Sequence, residues 1–245
     1  MKNSKNGLFV VFEGVDKSGK TTQLNLVKEQ FIKDGHKNIV ITFEPGDSVI
    51  GDKIRPILLN ANLHLTNLTE FFLFISDRLE HTVQFINKKL DEGSILIVDR
   101  FHFSTFAYQV FPAIYRIKKK EYKDFNELKS LKTLIKMDKI FGDFLFSLIE
   151  PDLIFYFYND KYFLDKKIGH KFKLEQQDRF ESRGDGFLKK VMVGYEKSFY
   201  YYKNFKKKVS RVSFSDGIDK NKNFIYKKIY ESLEDKNLGK KTKWS

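Results

Sequence analysis

Residues 9–23, FVVFEGVDKSGKTTQ, constrain what this chain can fold into more than any other stretch. An apolar run at residues 8–12 enters Gly14-Val15-Asp16-Lys17-Ser18-Gly19-Lys20-Thr21-Thr22, and the amphipathic segment that follows begins at Thr21. The order is strand, glycine loop, helix. A buried strand delivers the loop to one edge of a sheet, and the next helix aims its N-terminal N–H groups and positive dipole end back into it. An anion belongs there. Glycines at both ends let successive backbone amides turn inward around phosphate oxygens. Lys20 can then reach the β- and γ-phosphates, and the Thr21 hydroxyl can ligate Mg²⁺. The alternative is a chance match in a solvated loop, and the flanking strand and helix argue against it.

The rest of the chain supports an α/β reading. With 245 residues, 41% of them hydrophobic and 16% aromatic, it can bury a substantial core. A single α/β domain over residues 1–245 is the default expectation. No cysteine is present, so disulfides and cysteine metal clusters are excluded. The apolar run near the N-terminus breaks at Glu13, and no stretch approaches the roughly 20 apolar residues of a spanning helix. The expectation is a cytoplasmic protein that does not enter membranes. The net charge of +13 invites a nucleic-acid reading. The excess lysine is scattered, however, so attraction of anionic nucleotides is the preferred explanation.

Apolar periodicity predicts a helix from residue 21 to about 34, with Leu24, Val27, Phe31 and Ile32 inward, then a strand at 38–43. Glu44-Pro45-Gly46-Asp47-Ser48 reads as a turn, followed by a short helix through Ile54, Arg55 and Leu58. Residues 66–92 carry the longest helical signal, with a core stripe of Phe72, Ile75, Leu79, Val83, Ile86 and Leu90. Phe74 and Arg78 lie one turn apart on another face. They read either as an aromatic plate and a guanidinium for a nucleobase, or as an edge packing residue and a surface charge. A third strand, 94–98, ends in Asp99-Arg100, at the strand end where open α/β sheets bind ligands. Asp99 is therefore a candidate for the metal environment and Arg100 for a phosphate clamp. A loop enters a helix expected to be capped near Ser104, and His102 is given no role. Residues 115–124 read as a solvated excursion before an amphipathic helix. A fourth strand spans 153–158, a polar basic flap about 160–185, a long helix 186–205, a short strand 209–214 and a last helix 224–233. Five strands alternating with helices, with the phosphate loop after the first, predict a three-layer α/β/α P-loop domain with a five-stranded parallel sheet.

Taken together and in order, these pieces resemble the thymidylate kinase family. FEGVDKSGKTTQ is similar to the family's opening signature, and Glu44-Pro45-Gly46 to its Glu-Pro-Gly turn. Phe74 and Arg78 match the aromatic and arginine of its long helix. Asp99, Arg100, Ser104 and Ala107-Tyr108-Gln109 match its Asp-Arg helix, Pro151-Asp152-Leu153 the entry to a strand, and Asp178-Arg179-Phe180-Glu181 the flap. The resemblance implies phosphoryl transfer from ATP to dTMP, a reaction that needs positioning and charge neutralisation more than a covalent group. It implies that Gly14 to Thr22 hold the ATP phosphates, with Thr21 and Asp99 serving Mg²⁺. Asp16 would accept from the sugar 3′-hydroxyl, and Lys17 would bring charge to the transferring phosphoryl. Phe74 would stack on thymine, with Arg78 and Gln109 reading its polar edge and Ser104 or Thr105 nearby. Glu44 and Pro45 would border the acceptor, Arg100 and Arg55 would clamp it, and Tyr108 would lie where a ribose 2′-hydroxyl clashes. Arg179 would close over the phosphates. Members of the family are often homodimers, so a homodimer is expected.

The chain also departs from the family pattern. Phe43 stands where an arginine commonly precedes Glu-Pro-Gly, Asp47-Ser48 replace Gly-Thr, and Lys166, Lys167 and Lys171 replace flap arginines. An acidic Asp47 beside an anionic acceptor is uncomfortable. Residues 112–147 are longer than the family norm, and a basic tail covers 236–245. The alternatives are a kinase for another nucleoside monophosphate or a deoxynucleoside, and a P-loop protein that binds nucleotide or nucleic acid without turnover.

Overall fold

The computed structural model describes residues 6–158 and 185–236. Arg179, the flap lysines and most of the expected flap and tail lie outside the described residues.

Five strands form one parallel sheet in the order β2-β3-β1-β4-β5: β1 (Leu8–Gly14), β2 (Ile39–Phe43), β3 (Ile95–Asp99), β4 (Leu153–Tyr158) and β5 (Val209–Ser213). β1 is central, pairing Val10 with Ile97 on one side and with Leu153 on the other. Because alternate residues of a strand point to opposite faces, its fully apolar stretch feeds two cores. Phe9 and Val11 join Leu96, Val98, Ile154 and Tyr156 on one face. Leu8, Val10 and Phe12 join Ile95, Ile97, Phe155 and Phe157 on the other. Parallel strands buried on both faces read as continuous apolar runs for this reason.

The second face is covered by α1 (Lys20–Lys33) and the last helix, Ile218–Asp235, through Leu24, Val27 and Phe31 against Ile225, Ile229 and Leu233. Ile32, expected inward, is 52% exposed, because Phe31 already fills the inward position of that turn. α2 (Gly51–Leu59) follows the Glu-Pro-Gly turn. On the first face lies α3 (Asn67–His81), capped by Thr66, whose hydroxyl accepts from Thr69 N. It widens into a π-turn at Thr82–Ile86 and continues over Asn87–Asp91. The expected core stripe is corrected here. Ile75, Ile86 and Leu90 of that stripe are buried as expected, but Phe72 and Val83 are 45% and 49% exposed, and Phe71, Arg78 and Thr82 take the inward positions instead. A polar cluster occupies the inward face of the helix, and a hydrophobicity count could not see it.

α4 begins as His102–Thr105, widens at Phe106–Val110 and runs on through Phe111–Lys119. Ser104 is thus inside a helix rather than capping it, and half of the expected excursion is helical. α5 (Phe125–Leu148) is capped by Asp124, whose carboxylate accepts from Glu127 N at 2.8 Å. The long insertion is therefore packed structure: α5 buries Leu131, Leu134 and Leu145. α6 (Asp185–Tyr201) ends four residues before the expected boundary and buries Val191, Met192, Tyr195 and Phe199 on one face. The closing helix, Ile218–Asp235, is labelled α7 below. The Pro151-Asp152 punctuation has a physical role. Asp152 accepts from Phe9 N through its side chain at 2.9 Å and returns its own N–H to Phe9 O at 2.8 Å, setting the register of β4 on β1. No helix of the described residues is long and apolar enough to cross a membrane.

Candidate functional site

All five strands point their C-terminal ends the same way, so the loops after β1, β2 and β3 meet at one edge of the sheet. After β1, Gly14 takes φ +141° against the Phe157 carbonyl, where a Cβ would collide, and Gly19 takes φ +90° as the residue before α1. Between them Lys17 holds a left-handed φ of +60°. The loop closes on itself: Ser18 Oγ donates to Val15 O at 2.7 Å, and Lys20 Nζ donates to the Gly14 and Val15 carbonyls at 2.9 Å each. Burial, with Arg100 adding repulsion, pushes the Lys20 ammonium down to about 8. Thr21 and Thr22 are exposed at the start of α1, whose first turn carries no acidic side chain. The positive end of the helix is left for an anion.

After β3, Asp99 and Arg100 sit beside that loop. Arg100 adopts φ +72°, and its N–H donates to Phe12 O at 2.8 Å. Its guanidinium donates to Asp16 Oδ1 at 2.5 Å and to Tyr195 Oη at 2.9 Å. Burial alone would raise the Asp16 pKa, but Arg100 and Lys20 hold it below its usual value. Asp99 Oδ1 is buried and makes no hydrogen bond among the described residues. That orphaned carboxylate oxygen fits a Mg²⁺ ligand. No group of three or more acidic or histidine side chains that could cage a metal exists among the described residues. A Mg²⁺ ion would therefore rest on Asp99, Thr21, water and phosphate oxygens, the usual pattern for that ion.

A cavity opens next to Asp16. It is lined by Glu44, Pro45 and Arg55 from the turn and α2, by Phe74 and Arg78 from α3, and by Arg100, Ser104, Thr105, Tyr108 and Gln109 from the loop and helix after β3. The structure thus brings the expected acceptor-side residues around one space. Arg78 is 2% exposed, which rules out the surface-charge reading. Its Nε donates to Glu44 Oε2 at 2.6 Å and its Nη1 to Thr105 Oγ1 at 2.5 Å. Burial pushes the Glu44 carboxyl up, yet Arg78 and His81 more than offset this and hold it low. His81 Nδ1 lies 2.9 Å from Glu44 Oε1, and its Nε2 lies 2.8 Å from Thr42 Oγ1.

The departures from the family pattern find places as well. Thr42 donates to Asp47 Oδ2 at 2.6 Å, so this carboxylate is turned to β2 and does not line the cavity. Ser48 Oγ donates to Asp77 Oδ1 at 2.7 Å and Gly46 N to Asp77 Oδ2 at 3.3 Å, tying the turn to α3. Phe43 lies under Arg55, whose Cζ is 5.2 Å from the ring centroid, while Arg55 Nη1 donates to Pro45 O.

Sequence reasoning missed five supporting residues. Glu13, buried at the end of β1, accepts from Phe101 N at 2.8 Å, Ser104 N at 3.3 Å and Ser104 Oγ at 2.6 Å. Burial pushes its pKa up to about 7, only partly countered by those donors. Its signal was present as an acid interrupting a strand apolar on both faces. Asp77 and His81 flank Arg78 on one stretch of α3, and the three could have been flagged together. Glu70 accepts from Gln109 Nε2 at 2.8 Å one turn before Phe74. Tyr195, fully buried and 2.8 Å from Ser104 Oγ, carried no signal within its helix.

A central strand feeding a glycine loop, with an acidic strand end beside it and a second cavity adjoining, defines a P-loop nucleotide-binding fold of the phosphotransferase kind. A family profile described as Thymidylate kinase matches residues 12–126. A thymidylate kinase of Thermosipho africanus is 33% identical over 199 residues, covering 81% of this chain and 87% of the relative. One from a Thermoanaerobacter strain is 32% identical over 212 residues, covering 86% and 90%. The chain belongs to the thymidylate kinase family. Two solved structures share the fold. Thymidylate kinase of Candida albicans superposes with a TM-score of 0.66 at 22% identity, covering 96% of this chain and 95% of that one. The Ehrlichia chaffeensis enzyme gives 0.61 at 24%, covering 93% and 98%.

Proposed function

We propose that the chain transfers the terminal phosphoryl group of ATP to dTMP, giving ADP and dTDP, in the cytoplasm. The observation that carries this is the shared wall between the two sites. Asp16 belongs to the phosphate loop and also lines the acceptor cavity, where Arg100 binds it. A sugar hydroxyl or phosphate held by those two groups lies next to the loop that would cradle the donor. Roles follow from chemistry. Lys20, the loop amides and Lys17 would bind and neutralise the donor phosphates, and Thr21 and Asp99 would hold Mg²⁺, which would supply further positive charge for the transfer. Phe74 offers a ring face, while Arg78 and Gln109 offer donors and an acceptor for a pyrimidine edge. Arg55 and Arg100 suit the acceptor phosphate, and Tyr108 fills the sugar side. Arg179 would close over the phosphates. A homodimer is proposed through the outward side of α3, where Phe72 and Val83 stand exposed.

Coupled ADP release with dTMP, dUMP, dCMP, dGMP and thymidine tests the reading. The expected result is fastest turnover with dTMP and loss of turnover in a folded Lys20→Ala variant. Absence of acceptor-dependent turnover would refute the kinase reading, and faster turnover with thymidine would refute the monophosphate.

A further inference from the structure

Gln109 lines the acceptor cavity with Phe74 and Arg78, and it is only 6% exposed. A glutamine amide can present either its oxygen or its NH₂ in a given direction, because rotation about its last bond exchanges them at little intrinsic cost. Which one faces the cavity decides what base edge it can read. In this protein the choice is made from behind. The carboxylate of Glu70, on α3 and 2% exposed, lies 2.8 Å from Gln109 Nε2. A carboxylate only accepts. Were the amide turned over, its oxygen would face the Glu70 oxygen in a buried place with no hydrogen between them. The NH₂ is therefore held on Glu70. Among the described residues Gln109 Oε1 accepts no hydrogen bond, which leaves that oxygen, and the second N–H, for a ligand.

We propose that Glu70 is a positioning residue that sets base specificity by fixing the orientation of the Gln109 amide. The inference rests on the reading of this cavity as the seat of a pyrimidine base. Thymine and uracil carry an N3–H donor beside the C4 carbonyl, so they match an acceptor at Gln109 Oε1 next to a donor at Arg78. Cytosine reverses both groups: its N3 accepts and its C4 amine donates. Arg78 alone opposes the C4 amine, and Gln109 opposes the N3 lone pair only while Glu70 holds its oxygen forward. A site built to hydrogen-bond one pattern rejects the reversed one because buried groups on both sides would be left unpaired. Phe74 cannot supply this discrimination, since a ring face accepts any base.

The test is Glu70→Gln, which keeps shape but supplies an NH₂ that can donate to Gln109 Oε1 and so permits the turned-over amide. Rates of ADP release with dTMP and dCMP are compared as kcat/KM. The expected result is a fall of roughly tenfold or more in the dTMP-to-dCMP ratio, with dUMP following dTMP and the KM for ATP unchanged. If the variant does not fold, as judged by a thermal melt, Glu70→Met removes the anchor without adding a donor and is expected to lower the same ratio. A folded variant that keeps the ratio, while the natural protein prefers dTMP, overturns this proposal alone. A natural protein with no preference for dTMP over dCMP overturns the base reading and the proposal together.

Discussion

Glu13→Gln should change how stability depends on pH, and the structure fixes both sign and size. The side chain is fully buried, and its carboxyl is raised from an ordinary 4.5 to about 7 by burial, against donation from Ser104 and Phe101 and the more distant charges of Arg100 and Arg78. Between those two pH values the unfolded chain has released the proton while the folded protein keeps it. The folded state then binds more protons, so its stability falls as pH rises through this window and is level above it. At about 1.4 kcal/mol for each pH unit, the loss is about 3 kcal/mol. Glutamine cannot titrate, but its carbonyl can still accept from Phe101 N and Ser104 N. Its NH₂ can donate to Ser104 Oγ, which can turn its own hydrogen to Tyr195. Urea unfolding of both proteins at several pH values from roughly 4.5 to 8 gives the difference directly, variant minus natural protein. The difference should climb by about 3 kcal/mol across the window. A difference constant to within about 1 kcal/mol would mean that Glu13 titrates as an ordinary carboxyl, and the assignment of a buried, protonated acid under α4 would be wrong.

Two further outcomes are expected. Lys20 is held down to about 8 by burial, so kcat/KM for ATP should fall on the alkaline side with a midpoint near 8, while the corresponding limb of kcat moves higher once phosphates surround the ammonium; a limb in kcat/KM that begins only above about 9.5 would refute this. Asp138 is fully buried on α5, accepts from Tyr202 Oη at 2.8 Å and lies 3.3 Å from His102 Nε2. Asp138→Ala leaves the buried Tyr202 hydroxyl without its acceptor and should lower unfolding free energy by about 2 kcal/mol in urea titration; a loss below about 0.5 kcal/mol would show that α5 is not pinned there.

The architecture was legible because the dominant force writes itself periodically. Runs such as Ile95 to Val98, short, rich in β-branched residues and buried on both sheet faces, fit parallel strands, and the glycine loop fixes which helix follows. The candidate site was legible at strand ends, where Asp99-Arg100 and Glu44-Pro45 interrupt apolar runs. What stayed hidden was the inward face of α3. There the periodicity rule points at Phe72 and Val83, but the space beneath the helix is taken by Arg78 and His81, whose burial is compensated by Thr42 on β2 and Glu44 just after it. A buried charge is admissible only with its partner, and partners 34 and 37 residues away leave no local trace. Tyr195 was hidden for the same reason, reaching Ser104 across 91 residues.

The two buried glutamates, Glu13 on β1 and Glu44 just after β2, show how partners rather than burial decide charge. Both are within a few per cent of complete burial. Glu13 meets neutral donors first, and its carboxyl is pushed up; Glu44 meets Arg78 directly, and its carboxyl is held down. Glu44 therefore neutralises Arg78 within the protein, which suits that guanidinium to an uncharged carbonyl on a base rather than to a phosphate. Arg100 also meets a carboxylate, Asp16, but that pair is partly exposed at the cavity wall, so its guanidinium stays open to an acceptor phosphate. Arg55 differs: among the described residues its partners are the Pro45 carbonyl and the Phe43 ring, and no carboxylate pairs with it. On the proposed reading, the acceptor phosphate supplies the missing negative charge. Phe43, which stands where the family commonly has arginine, then supports this cation from beneath instead of supplying one.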